Sequence, residues 1–494
     1  MWALFLSNKC VKWPQRVPIQ LAAVSKEFRD RFFRRANSLP SIVLNSDYLS
    51  RDFPLTKCHA GRILHAAENW KKRLFIEQEI HAMNMKQSSR MIGVIVFCVL
   101  FVSAGGAFGQ DWPQWEGPDR NAKAADFTAP ETWPQQLTQK WKVDVGQGCA
   151  TPALVDDKLY VFVRRDAEEA VLCLNAENGQ VVWEDKYEAT AVQGPPSRGF
   201  TGPRSSPAAA DGKVVTFGVG GMLSCLQADT GKVLWRKNDY PNAWPRFYTS
   251  MSPLIADGLC VALVGGSDGG AVAAYDLATG EEKWKWTGEG PGYASPVLMT
   301  VDDTKLVVAP MEKSIVAVNL ADGKLAWQTP FVPEGRGLNA STPVIDGQTV
   351  YYGGTDRGIT AVKLTKGDDG FTGETLWNNM DNSLQYNTPV LEDGMLYGLS
   401  QQTALFCLNA ETGKTAWTHP VEGQQGFGSV VDAGEVLLAL TPKAQLLVYE
   451  PSDTEYKELA RYKVSDNATY AYPVVAGNRV FIKDQDAVIL WTIE

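Results

Sequence analysis

One motif governs what this chain can become. The stretch CLNAETGKTAW at 407–417 returns almost unchanged as CLNAENGQVVW at 173–183 and CLQADTGKVLW at 225–235. Related versions end at Trp284 (YDLATGEEKW), Trp327 (VNLADGKLAW) and Trp377 (FTGETLW), so the six tryptophans are spaced 52, 49, 43, 50 and 40 residues apart. A second element keeps step with the first: Ser/Thr-Pro, then apolar residues, then a turn. It reads TPALVDDKLYVF at Pro152, SPAAADGKVVTF at Pro207, SPLIADGLCVAL at Pro253, SPVLMTVDDTKLVV at Pro296, TPVIDGQTVYYG at Pro343 and TPVLEDGMLYGL at Pro389. Degenerate copies follow near Val430 and at Pro473, giving eight starts 40 to 55 residues apart.

Strand-rich units repeating at 40–50 residues cannot each bury an apolar face alone, and the stable arrangement of such units is a β-propeller. Each unit divides into four short strands. Strand A begins at the Pro, where a missing N–H is tolerated. Strand B follows an Asp-Gly or Asp-Asp turn, strand C is the AVLCLNA-like run, and strand D carries the Trp. The eighth unit stops after its C-like run, whereas KWKVDVG, with Trp141, precedes the first unit without a strand A of its own. The expected fold is therefore all-β: an eight-bladed propeller of four-stranded antiparallel blades, closed by an N-terminal strand near 140–146 that pairs into the last blade and hides the sheet edges.

The pattern D/N-x-x-T/N-G suits a C–D hairpin. Asp or Asn bonds its own backbone in the turn, and glycine takes the left-handed conformation that ends it. Four residues on, the Trp is expected to wedge against the neighbouring blade, a burial of about 4–6 kcal/mol at most. The five cysteines past residue 110 are Cys149, Cys173, Cys225, Cys260 and Cys407. Three share one motif slot, which reads as a small buried hydrophobe and not as a disulfide framework.

The repeat A-x-D-x-x-T-G-x-x-x-W, as in AAYDLATGEEKW, resembles the tryptophan-docking repeat of the pyrroloquinoline-quinone (PQQ) propeller family over about 141–494. DWPQWEGPDRNAKA (111–124) is similar to the lead-in segment of its secreted bacterial members. That family includes quinoprotein dehydrogenases and non-catalytic relatives such as the propeller subunit of the outer-membrane β-barrel assembly machinery. The resemblance implies, for the enzymes, PQQ stacked between a Trp and a disulfide of adjacent cysteines, Ca²⁺ held by Glu, Asn and Asp, and an Asp base. This chain has no adjacent cysteines, and no calcium ligand can be placed by motif. No catalytic, cofactor-binding or metal residue carries over, and the non-catalytic branch is the better match.

Charge and leader sequence bound the setting. Residues 1–90 hold 16 Lys+Arg against 7 Asp+Glu, and the rest holds 31 against 49. An acidic body argues against nucleic acid as a partner. Lys86 and Arg90 precede the apolar run Ile92–Ala104, which ends in small residues before Gln110: the layout of a secretory signal peptide. Thirteen apolar residues are few for a bilayer span. The expected organisation is a basic N-terminal extension (1–90) outside the mature protein, a signal peptide or signal anchor (91–109), a lead-in segment (110–140) and the propeller (141–494). A membrane partner is expected only if 91–109 is retained as an anchor.

Catalytic constellations are otherwise lacking. His419 is the single histidine past the leader and reads as a surface loop residue just after a strand D, too little for a triad or a histidine-rich zinc site. GGSDG at 265–269 runs into strand C, not into the helix that a nucleophile elbow needs. The candidate site is the channel mouth. Three residues before each strand-A start stand Cys149, Arg204, Ser250, Tyr293, Ala340, Tyr386, Phe427 and Tyr470, with Asn339, Asn387 and RFY (Arg246–Tyr248) alongside. Arg204, Tyr248, Tyr293, Asn339, Tyr386, Asn387, Phe427 and Tyr470 are the expected partner-binding residues. An aromatic, amide-rich rim suits an extended peptide of a protein partner, or a carbohydrate. Three functions follow in order: a secreted, non-catalytic binding or assembly scaffold of the bacterial envelope, a PQQ-dependent oxidoreductase, and a carbohydrate-binding protein.

Overall fold

A computed structural model describes residues 111–493 except 268, 424 and 425; the basic extension and the leader lie outside them. The strands form eight antiparallel sheets of four. In blade 1, strands A to D are Ala153–Val155, Lys158–Arg165, Glu168–Asn175 and Val181–Glu188. Strands B and C are buried nearly throughout, because each is covered on both faces by neighbouring blades, which is why they read as unbroken apolar runs. Strand D lies at the rim and alternates between buried and exposed, the period-2 signature of a half-covered strand. The last blade joins Val474–Ala476, Arg479–Lys483 and Ala487–Thr492 to Thr138–Asp144, with Thr138 opposite Thr492 and Asp144 opposite Ala487. The ring closes as expected, although its closing strand starts three residues inside the segment read as the lead-in.

Turn chemistry sets the hairpins. At the A–B turns Asp211-Gly212, Asp257-Gly258 and Asp393-Gly394 both residues have positive φ, the conformation of the two-residue hairpin turn whose twist matches that of strands. At the C–D turns the Asx side chain does the work: Asn175 Oδ1 accepts the N–H groups of Glu177 and Asn178, and Asp276 Oδ1 those of Ala278 and Thr279. A register shift between Cys173 and Leu174 marks the bulge that follows. Cys173, Cys225 and Cys407 sit opposite Trp183, Trp235 and Trp417 on the paired strand, each thiol fully buried.

The tryptophans fasten blade to blade. Trp183 Nε1 donates to Ala228 O (2.8 Å) in blade 2, Trp235 to Leu277 O (3.0 Å) in blade 3, and Trp284 to Leu320 O (2.8 Å) in blade 4. Trp377 and Trp417 repeat the bond to Ala410 O and Ser452 O, and Trp141 carries it across the closure to Ala176 O. Blade 7 has Ala460 at this register position, and the hydroxyl of Tyr462, two residues on, reaches Pro134 O instead. Against expectation, His419 lies within strand D of blade 6 (Thr415–Pro420), its ring stacked 4.0 Å from that of Tyr456. Pairing of His419 with Leu405 continues the strand past Trp417, which a loop reading could not anticipate.

The lead-in segment is a plug. Trp112 bridges Leu154 of blade 1, and the Ala209 N–H of blade 2 donates to Pro113 O. The Arg120 guanidinium donates to the carbonyls of Pro253 and Pro296, and Trp115 Nε1 to Thr342 Oγ1 (3.1 Å). Lys123 pairs with Glu392 and Asp432, and Asp126 accepts the Gly477 N–H. All eight blades are touched. These contacts run along the A strands to the A–B turns, so one end of the central channel is sealed by the chain itself.

Candidate functional site

At the opposite end, where the A strands begin, a cavity of about 390 Å³ opens. Its wall contains all eight residues of the slot three before strand A, Cys149, Arg204, Ser250, Tyr293, Ala340, Tyr386, Phe427 and Tyr470. Each blade enters its A strand at the same height, so the repeat places one side chain per blade around a common axis. Trp115, from the plug, joins the lining; its ring stands edge-on to Tyr472 at 4.8 Å.

The aromatic residues hold one another. Tyr386 stacks on Phe427 at 4.4 Å, Phe427 meets Tyr470 edge-on at 5.2 Å, and Phe247 tilts against Tyr293 at 6.1 Å. Phe200 crosses from the long connection between blades 1 and 2 to touch Tyr470 at 5.1 Å and Phe427 at 6.3 Å. A short helix at Pro195–Arg198 shapes that connection, and both of its prolines face the cavity.

Polar groups in the wall are mostly engaged. Ser250 Oγ donates to Tyr293 O, and the Tyr293 hydroxyl accepts the Phe247 N–H. Ser295 Oγ accepts the Ser252 N–H, while Thr342 Oγ1 accepts from Trp115 and Ser295. Burial pushes the Cys149 thiol up despite the nearby Arg204 and Lys483 charges, which keeps it a poor nucleophile. Among the described residues the lining has no carboxylate, carboxamide or imidazole, and no group of three or more His, Cys, Asp or Glu is arranged to hold a metal ion. A calcium ion needs six to eight oxygen ligands, so this cavity does not fit a calcium-linked quinone.

Five of the eight expected site residues meet here: Arg204, Tyr293, Tyr386, Phe427 and Tyr470. Three do not. Tyr248 is buried and its hydroxyl accepts the Gln193 N–H. Asn339 is buried and donates to Met311 O and Phe331 O. Asn387 is buried and donates to Gly426 O. One residue's offset along an extended chain turns the side chain to the opposite face, and there these amides tie loops together. Phe200, Phe247, Leu338 and Trp115 were not singled out. Phe247 lies inside the RFY stretch, and an unusually long connection before Pro207 was the available signal for Phe200.

A ring of tryptophan-docked blades, stoppered at one end and lined with aromatics at the other, defines a β-propeller of the PQQ-like class. The chain belongs to the family whose model is described as outer membrane protein assembly factor BamB, which matches residues 167–419. BamB of Burkholderia pseudomallei is 24% identical over 363 residues, 71% of this chain and 86% of that protein. Among solved structures, BamB from Moraxella catarrhalis aligns with a TM-score of 0.53 at 16% identity, covering 72% of this chain and 98% of that one. The quinohemoprotein alcohol dehydrogenase of Comamonas testosteroni aligns with a TM-score of 0.60, also at 16% identity, covering 79% and 82%. At that identity the structural likeness speaks for the fold and not for the chemistry.

Proposed function

We propose that this chain is a non-catalytic scaffold of the bacterial envelope that binds a protein partner at the open end of its channel. The observation that carries this reading is the convergence of one side chain from every blade on a single aromatic cavity whose far end is stoppered. Family membership supports it: the matching family model and the Burkholderia pseudomallei relative are described as outer membrane protein assembly factors. The basic-then-apolar leader supports export. Aromatic side chains give large contact at small entropy cost, and Arg joins them at binding hot spots. A carbohydrate is disfavoured, since the Ser, Thr and Tyr293 hydroxyls of the wall are already engaged. A quinone is disfavoured by a lining without carboxylate or carboxamide ligands for calcium.

The test is to replace Tyr293, Tyr386 and Tyr470 together by alanine and compare crosslinked partners in native envelope by mass spectrometry. The partner set of a folded triple variant should shrink. An unchanged set would remove the cavity from the binding surface. Adding PQQ and Ca²⁺ should produce neither a new absorbance band nor alcohol oxidation; either would return the oxidoreductase reading.

A further inference from the structure

The cavity carries a cation without an acid. The Arg204 guanidinium donates to Phe200 O (2.5 Å) and Phe247 O (3.2 Å). That fixes it between the two connections that roof the cavity and leaves three of its five N–H groups uncommitted. Glu169 is the acid that acts on Arg204, but its own oxygens accept from Tyr187 and from the Val219 N–H. Arg198, Arg246 and Arg336 stand on the neighbouring connections, beside the lining residues Pro196, Phe247 and Leu338. None of these four arginines has an ion pair with an acid among the described residues. Arg165, Arg236 and Arg461 are paired with Glu184, Asp185 and Glu458, whereas Arg120, Arg164, Arg357 and Arg479, like the four above, have no ion pair among the described residues. Of the unpaired arginines, Arg204 lines the cavity, whose described lining holds no acid, and uncommitted N–H groups there suit an incoming anion.

Shape narrows the anion. The plug makes the channel blind, with Trp115 in its lining, so a polypeptide cannot thread through and must stop. An amino terminus would need an acid in the wall, and none is present among the described lining residues. A carboxyl terminus finds Arg204, and an apolar last side chain finds the rings of Phe200, Phe247, Tyr293, Phe427 and Tyr470. We propose that the cavity captures the free C-terminus of a polypeptide whose last residue is aromatic or aliphatic, with the terminal carboxylate on Arg204. This rests on the protein-partner reading above and names the part of the partner that enters.

The probe is a pentapeptide carrying fluorescein at its amino end and phenylalanine at its carboxyl end, followed by fluorescence anisotropy with the whole protein. The free acid should bind at least about tenfold tighter than the C-terminal amide, the size expected of one charge-assisted hydrogen-bonded contact. It should exceed a serine-ending peptide by a similar factor. Arg204→Met should erase the acid-over-amide preference. Because Arg204 also ties two connections, the acid/amide and Phe/Ser comparisons on the unaltered protein stand without the variant. Equal binding of acid and amide would overturn the proposal, as would equal binding of a peptide with its phenylalanine moved to the middle. If 3-phenylpropionate alone matches the peptide, a small aromatic acid is the ligand and the proposal fails. Should envelope partners still depend on the three tyrosines while acid and amide bind alike, end capture is wrong and the scaffold reading survives; if no partner depends on them either, both fail.

Discussion

Gly231 lies against the indole of Trp183, the two belonging to adjacent blades. A Cβ on Gly231 would stand 2.5 Å from Trp183 Cε3, and the residue has φ of +68°. The relationship repeats with Gly280 on Trp235, Gly323 on Trp284, Gly413 on Trp377 and Gly179 on Trp141. The glycine and the tryptophan of one motif copy thus serve different interfaces. Each turn glycine receives the ring of the blade before it.

This pairing separates two effects of replacing glycine. Gly212 has φ of +69° but open space around it, whereas Gly231 has the same conformation and the Trp183 ring. Gly212→Ala should cost only the left-handed strain, about 1 kcal/mol. Gly231→Ala adds displacement of a packed indole, a further ~1–3 kcal/mol. Urea midpoints should fall in the order wild type, Gly212→Ala, Gly231→Ala.

Trp183 contributes apolar area and one bond to Ala228 O. Trp183→Phe removes the bond but keeps most of the ring, and should destabilise by about 1 kcal/mol, since Ala228 O still accepts the Tyr160 hydroxyl (3.3 Å). Trp183→Ala should cost about 3–5 kcal/mol. Equal midpoints for the two variants would mean that the hydrogen bond, and not the ring, fastens the blades.

The plug should answer to pH. Burial raises the Glu116 carboxyl to about 8, against the opposing pull of Thr388, Arg120 and Tyr472. In the unfolded chain the group ionises near 4.5, so between 4.5 and about 8 the folded state holds the extra proton. Stability from this group is fully present below 4.5 and is lost as pH rises towards 8, with a slope of at most ~1.4 kcal/mol per pH unit. Glu116→Gln should flatten that decline. Denaturation at pH 5, 6.5 and 8 checks it, and parallel curves for the two proteins would assign the pH dependence elsewhere.

Arg357 organises the connection between blades 4 and 5. Its guanidinium lies 3.9 Å over the Phe331 ring and donates to Phe331 O, Leu338 O and Asn339 Oδ1. Lysine cannot reproduce that planar fork. Arg357→Lys should make 331–340 the first site of limited proteolysis while changing the global midpoint by about 1 kcal/mol or less.

The fold was legible because the same physical problem is solved eight times. A Pro at seven of the eight A strands, an Asp-Gly turn and a D-x-x-T-G turn before Trp reinforce one another, and even the displaced closing strand followed from counting. The site was legible to the extent that it inherits this regularity: position three before each strand A was enough to find Arg204 and the aromatic wall. Asn339 and Asn387 misled because composition alone says nothing about which face of the chain a side chain takes. Trp115 and Phe200 escaped because their segments belong to no repeat, and only the folded path brings them to the axis.

Ring closure has a temporal meaning. Thr138 is synthesised long before its partner Thr492, and the plug residues precede every blade they touch. During synthesis the early segment must therefore wait, unpaired, for a strand that arrives last. Closing so long a loop is the slow kind of event, and until it happens blade 8 lacks its outer strand. The native ring thus acts as a check on completeness: a chain cut short at Ala487 would leave an open sheet edge, a ready signal for proteases.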